Sequence, residues 1–270
     1  MDRVTAHATT VRGGGDRTIV FGHGLGGGQH QWQTIADHFA EHYRVVTFDL
    51  AGSGDADPAL WSASRHDTIM GFADDLAALC GALDLRGATY VGHSMSGMAG
   101  ALAAAGDPGL FANLVLVCAS ARYMDDPASG YIGGFSEADV NGLLDAMEGD
   151  FALWAAGFAP IAMGNEDRPE FATQFANTLA KYRPDIGLAG FRAAFTSDYR
   201  KVMPRVTLPT LVLQTPDDPA VPVPAAEYLA AAIPDATLQI IDARGHFPHV
   251  VAPDVVLRAI DEFLAAQQSS

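Results

Sequence analysis

Six short runs dense in apolar and β-branched residues recur along the chain, at 18–21, 44–48, 88–91, 114–117, 210–214 and 237–241. Each is nearly continuous in apolar character instead of alternating, which predicts strands buried on both faces of a parallel sheet. Between them lie segments with helical spacing, such as 68–83 (Ile69, Phe72, Leu76, Leu79, Leu83) and 255–265. Strand and helix therefore alternate, the pattern of a layered, doubly wound α/β fold. Gly13-Gly14-Gly15 reads as a turn between two early strands.

One interval breaks the rhythm. Between Cys118 and Thr210, about 90 residues carry helical patterns with no strand signal, too long for an ordinary crossover. Gly133-Gly134, Gly149, Gly164, Pro169 and Pro184 cut it into several short helices. The expected organisation is a core made of residues 1–122 and 201–270 with a helical cap, 123–200, inserted into it as part of one compact unit. No internal repeat or low-complexity tract interrupts this plan.

A chain of 270 residues, 49% of them apolar, can bury roughly three quarters of its extended surface without a disulfide or structural metal. The formal charge of -16 repels phosphate backbones and anionic headgroups, so neither nucleic acid nor a membrane surface is an expected partner. Cys80 and Cys118 sit in apolar stretches, which predicts buried free thiols in a reducing compartment. Residues 1–15 lack the apolar core of a signal peptide, and no run approaches the ~20 apolar residues of a membrane span. A cytoplasmic location is the expectation.

Chemistry enters at Tyr90-Val91-Gly92-His93-Ser94-Met95-Ser96-Gly97, which leads from an apolar strand straight into a small-residue helix. A serine at such a turn occupies a nucleophile elbow, where the sharp backbone needs small neighbours and the helix N-terminus presents free N–H groups. Ser96 stands where the usual pattern has glycine, and it is small enough to fit. The same residues taken alone would also make a Gly/Ser turn of any α/β protein. Their partners decide the matter.

A serine hydroxyl needs a base to take its proton, and an imidazole base needs a carboxylate to fix its tautomer. In elbow enzymes the chain order is serine, acid, histidine. Downstream of Ser94, the run ending at Gln214 is followed by Thr215-Pro216-Asp217-Asp218-Pro219, and the last run by Asp242-Ala243-Arg244-Gly245-His246. Both loops follow strand C-terminal ends, where parallel sheets build their sites. Of the two carboxylates Asp218 is preferred, because Pro219 biases it towards extended backbone; Asp217 stays open as the alternative. His246 is the expected base. His249 reads as a packed or surface residue, His93 as a core residue pointing away from the nucleophile, and His38 and His42 as solvent-facing positions on a helix.

Ester cleavage also needs donors for the oxyanion, each worth about 2.7 to 4 kcal/mol. Gly22-His23-Gly24-Leu25-Gly26-Gly27-Gly28 follows the first parallel strand and can bring a backbone N–H close to the reacting carbon. The backbone N–H groups of Leu25 and Met95 are the expected oxyanion hole. A phosphate-binding role for this loop lacks its Gly-Lys-Ser/Thr. Asp49-Leu50-Ala51-Gly52-Ser53-Gly54 reads as a structural turn. With no HExxH, no paired CxxC and the Asp-Asp pairs on separate elements, neither metal nor cofactor is implied.

These motifs resemble the α/β-hydrolases that include the bacterial stress-response regulator RsbQ and the plant karrikin and strigolactone receptors. The resemblance rests on Gly22-His23-Gly24 with Gln31-Trp32, Gly92-His93-Ser94-Met95-Ser96, Ser120-Ala121-Arg122-Tyr123, Gly133-Gly134-Phe135, Gly157-Phe158-Ala159-Pro160, Arg183-Pro184-Asp185-Ile186, Phe195-Thr196-Ser197-Asp198 and Gly245-His246. It implies an α/β-hydrolase fold, with a mostly parallel doubly wound sheet and an inserted four-helix cap over an apolar pocket. It maps the acid onto Asp218 of Asp218-Pro219-Ala220-Val221-Pro222, and pocket positions onto Leu25, Tyr123, Phe135, Leu143, Trp154, Phe158, Phe175, Phe195 and Ala220.

Two functions compete. The first is a serine hydrolase cleaving a small apolar ester or lactone through an acyl-enzyme. The second is an RsbQ-like sensor whose slow or single-turnover hydrolysis reports a small molecule to a signalling protein through the cap. Cofactor-free haloperoxidases and carbon–carbon bond hydrolases share the same order of groups. Haloalkane dehalogenation does not fit, since its nucleophile is a carboxylate and position 94 is serine.

Overall fold

The computed structural model describes residues 2–268. Its strands are β1 (Thr10–Arg12), β2 (Thr18–Gly22), β3 (Arg44–Phe48), β4 (Ala88–His93), β5 (Phe111–Val117), β6 (Thr210–Gln214) and β7 (Ala236–Ile240). They form one sheet in the order β1-β3-β2-β4-β5-β6-β7, parallel throughout except for β1, which runs antiparallel to β3. Every residue of β4 and of β6 is buried, as their continuous apolar runs demand. The last strand departs from the expectation of two buried faces. β7 begins one residue earlier than its apolar run suggests and is only partly covered, because it lies at the sheet edge, where Ile240 keeps 45% of its surface exposed.

Helices cover both faces. Before the cap come α1 (Arg3–Ala6), α2 (Gln33–Phe39), α3 (Ile69–Ala82) and α4 (Met95–Gly106); after it come α9 (Val223–Ala232), α10 (Pro248–Val251) and α11 (Pro253–Gln268). One buried cluster joins Leu76 and Leu79 of α3 to Met98 and Leu102 of α4 and to Tyr90, Leu114 and Val212 of the sheet. A second, on the other face, packs Ile35 and Phe39 of α2 and Val256 and Ile260 of α11 against Phe21, Val91 and Val115. His38 lies on α2, exposed, while His42 falls in the turn just beyond that helix.

Between β5 and β6 stand four helices, α5 (Glu137–Gly149), α6 (Phe151–Met163), α7 (Pro169–Leu179) and α8 (Pro184–Phe195). Their starts are written locally. Ser136 and Asp139 make a reciprocal capping box for α5, the Asp150 side chain caps α6, and proline opens α7 and α8. Gly164, in the left-handed region at φ 63°, ends α6. The chain segments entering and leaving these helices are stitched together. Asp198 accepts hydrogen bonds from Arg122 at 2.7 Å and Arg200 at 2.8 Å, and Arg200 also reaches Asp126 at 2.9 Å.

The Arg200 hydrogen bond, joined by Arg122, outweighs partial burial and holds the Asp198 carboxyl well below the usual carboxylate range. A carboxyl with a depressed folded pKa adds stability above its unfolded pKa of about 3.9, and that stability is lost as the pH falls through the folded value. Asp198→Asn is therefore expected to cost about 1 kcal/mol at neutral pH, the group being partly exposed. Urea melts check this: the gap between wild type and variant should narrow at pH 3, and an equal gap at both pH values would show that the charge is not the cause.

Among the described residues, no helix is long and apolar enough to cross a membrane.

Candidate active site

The elbow is built by the joint between β4 and α4. Ser94 sits at φ 54° and ψ -125°, a conformation that non-glycine residues adopt only where the surroundings impose it. Gly92 and Gly97 make the turn possible, because a Cβ at position 92 would come within 2.6 Å of the Gly97 Cα. Ser96 has a task that glycine could not perform. Its hydroxyl lies 2.6 Å from the Tyr90 hydroxyl and gives that buried phenol a second partner besides the Ser96 carbonyl, to which the phenol donates at 3.1 Å.

Three side chains from separate loops meet above the C-terminal edge of the sheet. The Ser94 Oγ lies 2.9 Å from His246 Nε2, and His246 Nδ1 lies 2.8 Å from Asp218 Oδ2 and 3.0 Å from Oδ1. All three residues are buried. The carboxylate can only accept, so Nδ1 carries the proton and Nε2 is left to accept from the serine hydroxyl.

Asp218 is itself fixed from three sides. Its Oδ1 accepts the backbone N–H groups of Ala220 at 2.8 Å and Val221 at 3.1 Å, while the Gln214 side-chain amide donates to Oδ2 at 3.2 Å. Asp217 points elsewhere, accepting the Gly245 N–H at 3.1 Å and so bracing the histidine loop without touching the ring.

His93 sits on the far side of the elbow and donates its Nε2–H to the His246 carbonyl, 2.7 Å away. Complete burial pushes its pKa well down, helped by its neighbours His249 and His246, so the ring is neutral. The sequence placed His93 in the core and away from Ser94; its bond to the His246 backbone had no local signal. A further brace comes from the cap, where the Ala162 carbonyl of α6 accepts the His246 N–H at 2.8 Å.

The Gly-rich loop after β2 passes close to the serine. A Cβ at Gly24 would lie 3.1 Å from Ser94 Cβ and 2.5 Å from His93 Nδ1, so position 24 has no room for a side chain. Leu25 follows at the wall of the site, and Met95 opens α4, where backbone N–H groups lack helical partners. Asp49 serves the neighbouring turn: its carboxylate accepts the Gln29 N–H at 2.8 Å and the Asp55 N–H at 3.0 Å.

Over Ser94 lies a cavity of about 20 Å³. A single water needs roughly 10 to 15 Å³, so the space holds little more than one water. Of the positions the resemblance supplied, Leu25, Tyr123, Phe158, Phe195 and Ala220 line it. Tyr123 also brings its hydroxyl to 3.3 Å from the Ser94 Oγ.

Four others that the resemblance supplied are not among the residues around this space. Trp154 stacks behind Phe158 with ring centroids 4.9 Å apart, Phe135 packs on Phe195 at 5.1 Å, and Phe175 packs on Phe247 at 4.5 Å. Leu143 packs into the main core cluster. Their place on the lining is taken by Phe191, Ala194 and Phe247. Phe191 was legible in principle, since it lies one helical turn before Phe195 on the same face of α8.

Both cysteines are free and buried. Cys118 Sγ, an Asp218 oxygen and a His246 nitrogen lie within 4.8 Å of one another, a spacing that could hold a metal ion. The chemistry of the set argues against one. Burial, and after it the Asp218 charge, push the Cys118 thiol well up and keep it protonated, and Asp218 and His246 already engage each other.

Comparison with known proteins agrees with this architecture. A family model described as alpha/beta hydrolase fold matches residues 17–253. The chain is 38% identical to "Strigolactone esterase D14" of Arabidopsis thaliana, with 90% of each chain covered. It is 36% identical to "Karrikin insensitive 2 receptor CA" of Petunia hybrida, with 93% of each covered. Among solved structures, a hydrolase from Oleispira antarctica superposes with a TM-score of 0.94 at 27% identity, over 98% of this chain and 96% of that one. With an elbow serine, a seven-stranded sheet in this order and four helices inserted after β5, the chain belongs to the α/β-hydrolase family.

Proposed function

We propose that this protein is a serine hydrolase that cleaves a small apolar ester or lactone through an acyl-enzyme. One observation carries the reading: an unbroken hydrogen-bond chain runs from the Ser94 hydroxyl through His246 to the Asp218 carboxylate. In this reading Ser94 attacks the carbonyl carbon as His246 Nε2 takes its proton, and Asp218 steadies the imidazolium that forms. The backbone N–H groups of Leu25 and Met95 hold the oxyanion. His246 then returns the proton to the leaving alcohol, and water enters by the same base to release the acid. The aromatic lining suits an apolar acyl or alcohol group, and a relative bearing the name esterase supports the reaction class.

A second reading keeps the same chemistry but makes it slow. A receptor name among the relatives and the small volume over Ser94 favour a sensor that releases its acyl group rarely and presents the cap to a signalling protein.

Stopped-flow mixing with para-nitrophenyl acetate tests the first reading and separates it from the second. The expected trace is a burst of one equivalent of nitrophenol per chain followed by steady turnover; a burst with no turnover favours the sensor. Release no faster than in buffer would remove the hydrolase reading.

A further inference from the structure

Tyr123 reaches the nucleophile but has no part in the triad. It is buried where the chain leaves the core for the cap, with its hydroxyl 3.3 Å from the Ser94 Oγ and no other hydrogen-bond partner among the described residues. Its neighbours pin it there. The Arg122 guanidinium donates to the Met124 carbonyl at 2.8 Å and to Asp198 at 2.7 Å, and the Phe135 N–H donates to the Tyr123 carbonyl at 3.2 Å. The ring packs against Phe195, with centroids 4.9 Å apart, and lines the cavity over the serine.

The direction of the contact with Ser94 follows from the triad. His246 Nδ1 donates to Asp218, so Nε2 accepts the proton of the Ser94 hydroxyl, and that proton is not free for the phenol. Tyr123 is therefore the donor and Oγ the acceptor. Burial pushes the phenol up further than the Ser94 contact draws it down, so it keeps its proton at neutral pH. A fixed, neutral donor is thus aimed at the atom that attacks and later leaves.

We propose that Tyr123 is a further catalytic residue, whose hydroxyl stabilises the Ser94 Oγ as the leaving atom when the acyl-enzyme is hydrolysed. This rests on the hydrolase reading above and assigns part of one step to a residue outside the triad. In that step water adds to the acyl carbon and gives a proton to His246 Nε2. The bond from carbon to Oγ then breaks, its electron pair goes to Oγ, and His246 returns the proton there. Tyr123 transfers nothing. Only an interaction that is stronger in the transition state than before it speeds a step. In the free protein Oγ is a hydroxyl oxygen that already accepts from Tyr123, so little is gained on attack. In the acyl-enzyme Oγ is an ester oxygen, a poor acceptor because its lone pair is shared with the carbonyl, and charge builds on it as the bond to carbon breaks. A hydrogen bond to a charged acceptor is roughly twice as strong as one to a neutral acceptor. The phenol therefore favours deacylation over acylation.

The test follows the two steps separately in the full chain, with protein in excess over para-nitrophenyl acetate. Nitrophenol release reports acylation, and the intact mass of acid-quenched samples reports the lifetime of the acetyl adduct on Ser94. Tyr123→Phe keeps the ring, and it is expected to change nitrophenol release by less than about twofold while lengthening the adduct lifetime about tenfold. Where the wild-type adduct is too brief to detect, the variant should make it visible. An adduct that stays undetected or lives within about twofold of the wild-type lifetime would overturn the inference, and so would equal slowing of both steps, which would mean that the phenol only places Ser94. If thermal melts show that Tyr123→Phe does not fold, 3-fluorotyrosine at position 123, a more acidic donor of nearly the same shape, should shorten the adduct lifetime; an unchanged lifetime would overturn the inference equally. A wild type that releases nitrophenol no faster than buffer does would remove the hydrolase reading and this one with it.

Discussion

Asp218→Asn is expected to lower kcat about 10⁴-fold with little change in KM, the loss that follows when the imidazole is held in the wrong tautomer. The carboxylate accepts from His246 Nδ1 through both oxygens, at 2.8 and 3.0 Å. The Ala220 and Val221 N–H groups claim the same Oδ1 that an asparagine would have to keep as oxygen, so its NH₂ would be the atom turned towards Nδ1. A donor facing Nδ1 forces the ring proton onto Nε2, where it blocks acceptance from Ser94. The control is Asp217→Asn, which retains an oxygen for the Gly245 N–H and should lose less than about tenfold. Steady-state kinetics on both variants decide the matter; equal losses would mean that the acid has been misassigned.

Gly245→Ala should lower both stability and rate. Gly245 sits at φ 72°, a region that costs an L-residue about 1 to 2 kcal/mol. An added Cβ would also overlap the Met163 carbonyl at the end of α6. Cap and base loop meet here glycine to glycine, since a Cβ on Gly164 would come within 2.9 Å of the Gly245 Cα. The expected cost is about 2 to 4 kcal/mol, a fall of about 5 to 15 °C in Tm. Because His246 is the next residue and hangs its N–H on Ala162, a displaced loop should also lower kcat about 100-fold in the protein that remains folded. Calorimetry and kinetics below the transition measure the two effects. A variant that melts and turns over like wild type would show that this contact does not hold the base.

The parallel strands were legible because burial on both faces leaves a continuous apolar run, as in Thr210–Gln214. The three-residue strand β1 pairs only with β3 and leaves Val11 44% exposed, so it carries too little apolar pattern to mark its own bounds. The Ser94 elbow announced itself through small residues at fixed offsets, a local requirement of the turn. The lining of the cavity did not. Trp154 and Phe158 lie one turn apart on α6, and helical spacing alone does not say which ring faces the serine and which backs it. Contacts that steady the base are longer range still: His93 to the His246 carbonyl and Ala162 to the His246 N–H join segments far apart in sequence, and no motif encodes them.

Labelling with a fluorophosphonate, followed by peptide mass spectrometry, tests most directly whether Ser94 is the activated nucleophile. The account predicts one adduct per chain, carried on the Ser94 hydroxyl and absent from His246→Ala. An adduct on any other residue, or labelling of His246→Ala at the wild-type rate, would contradict it.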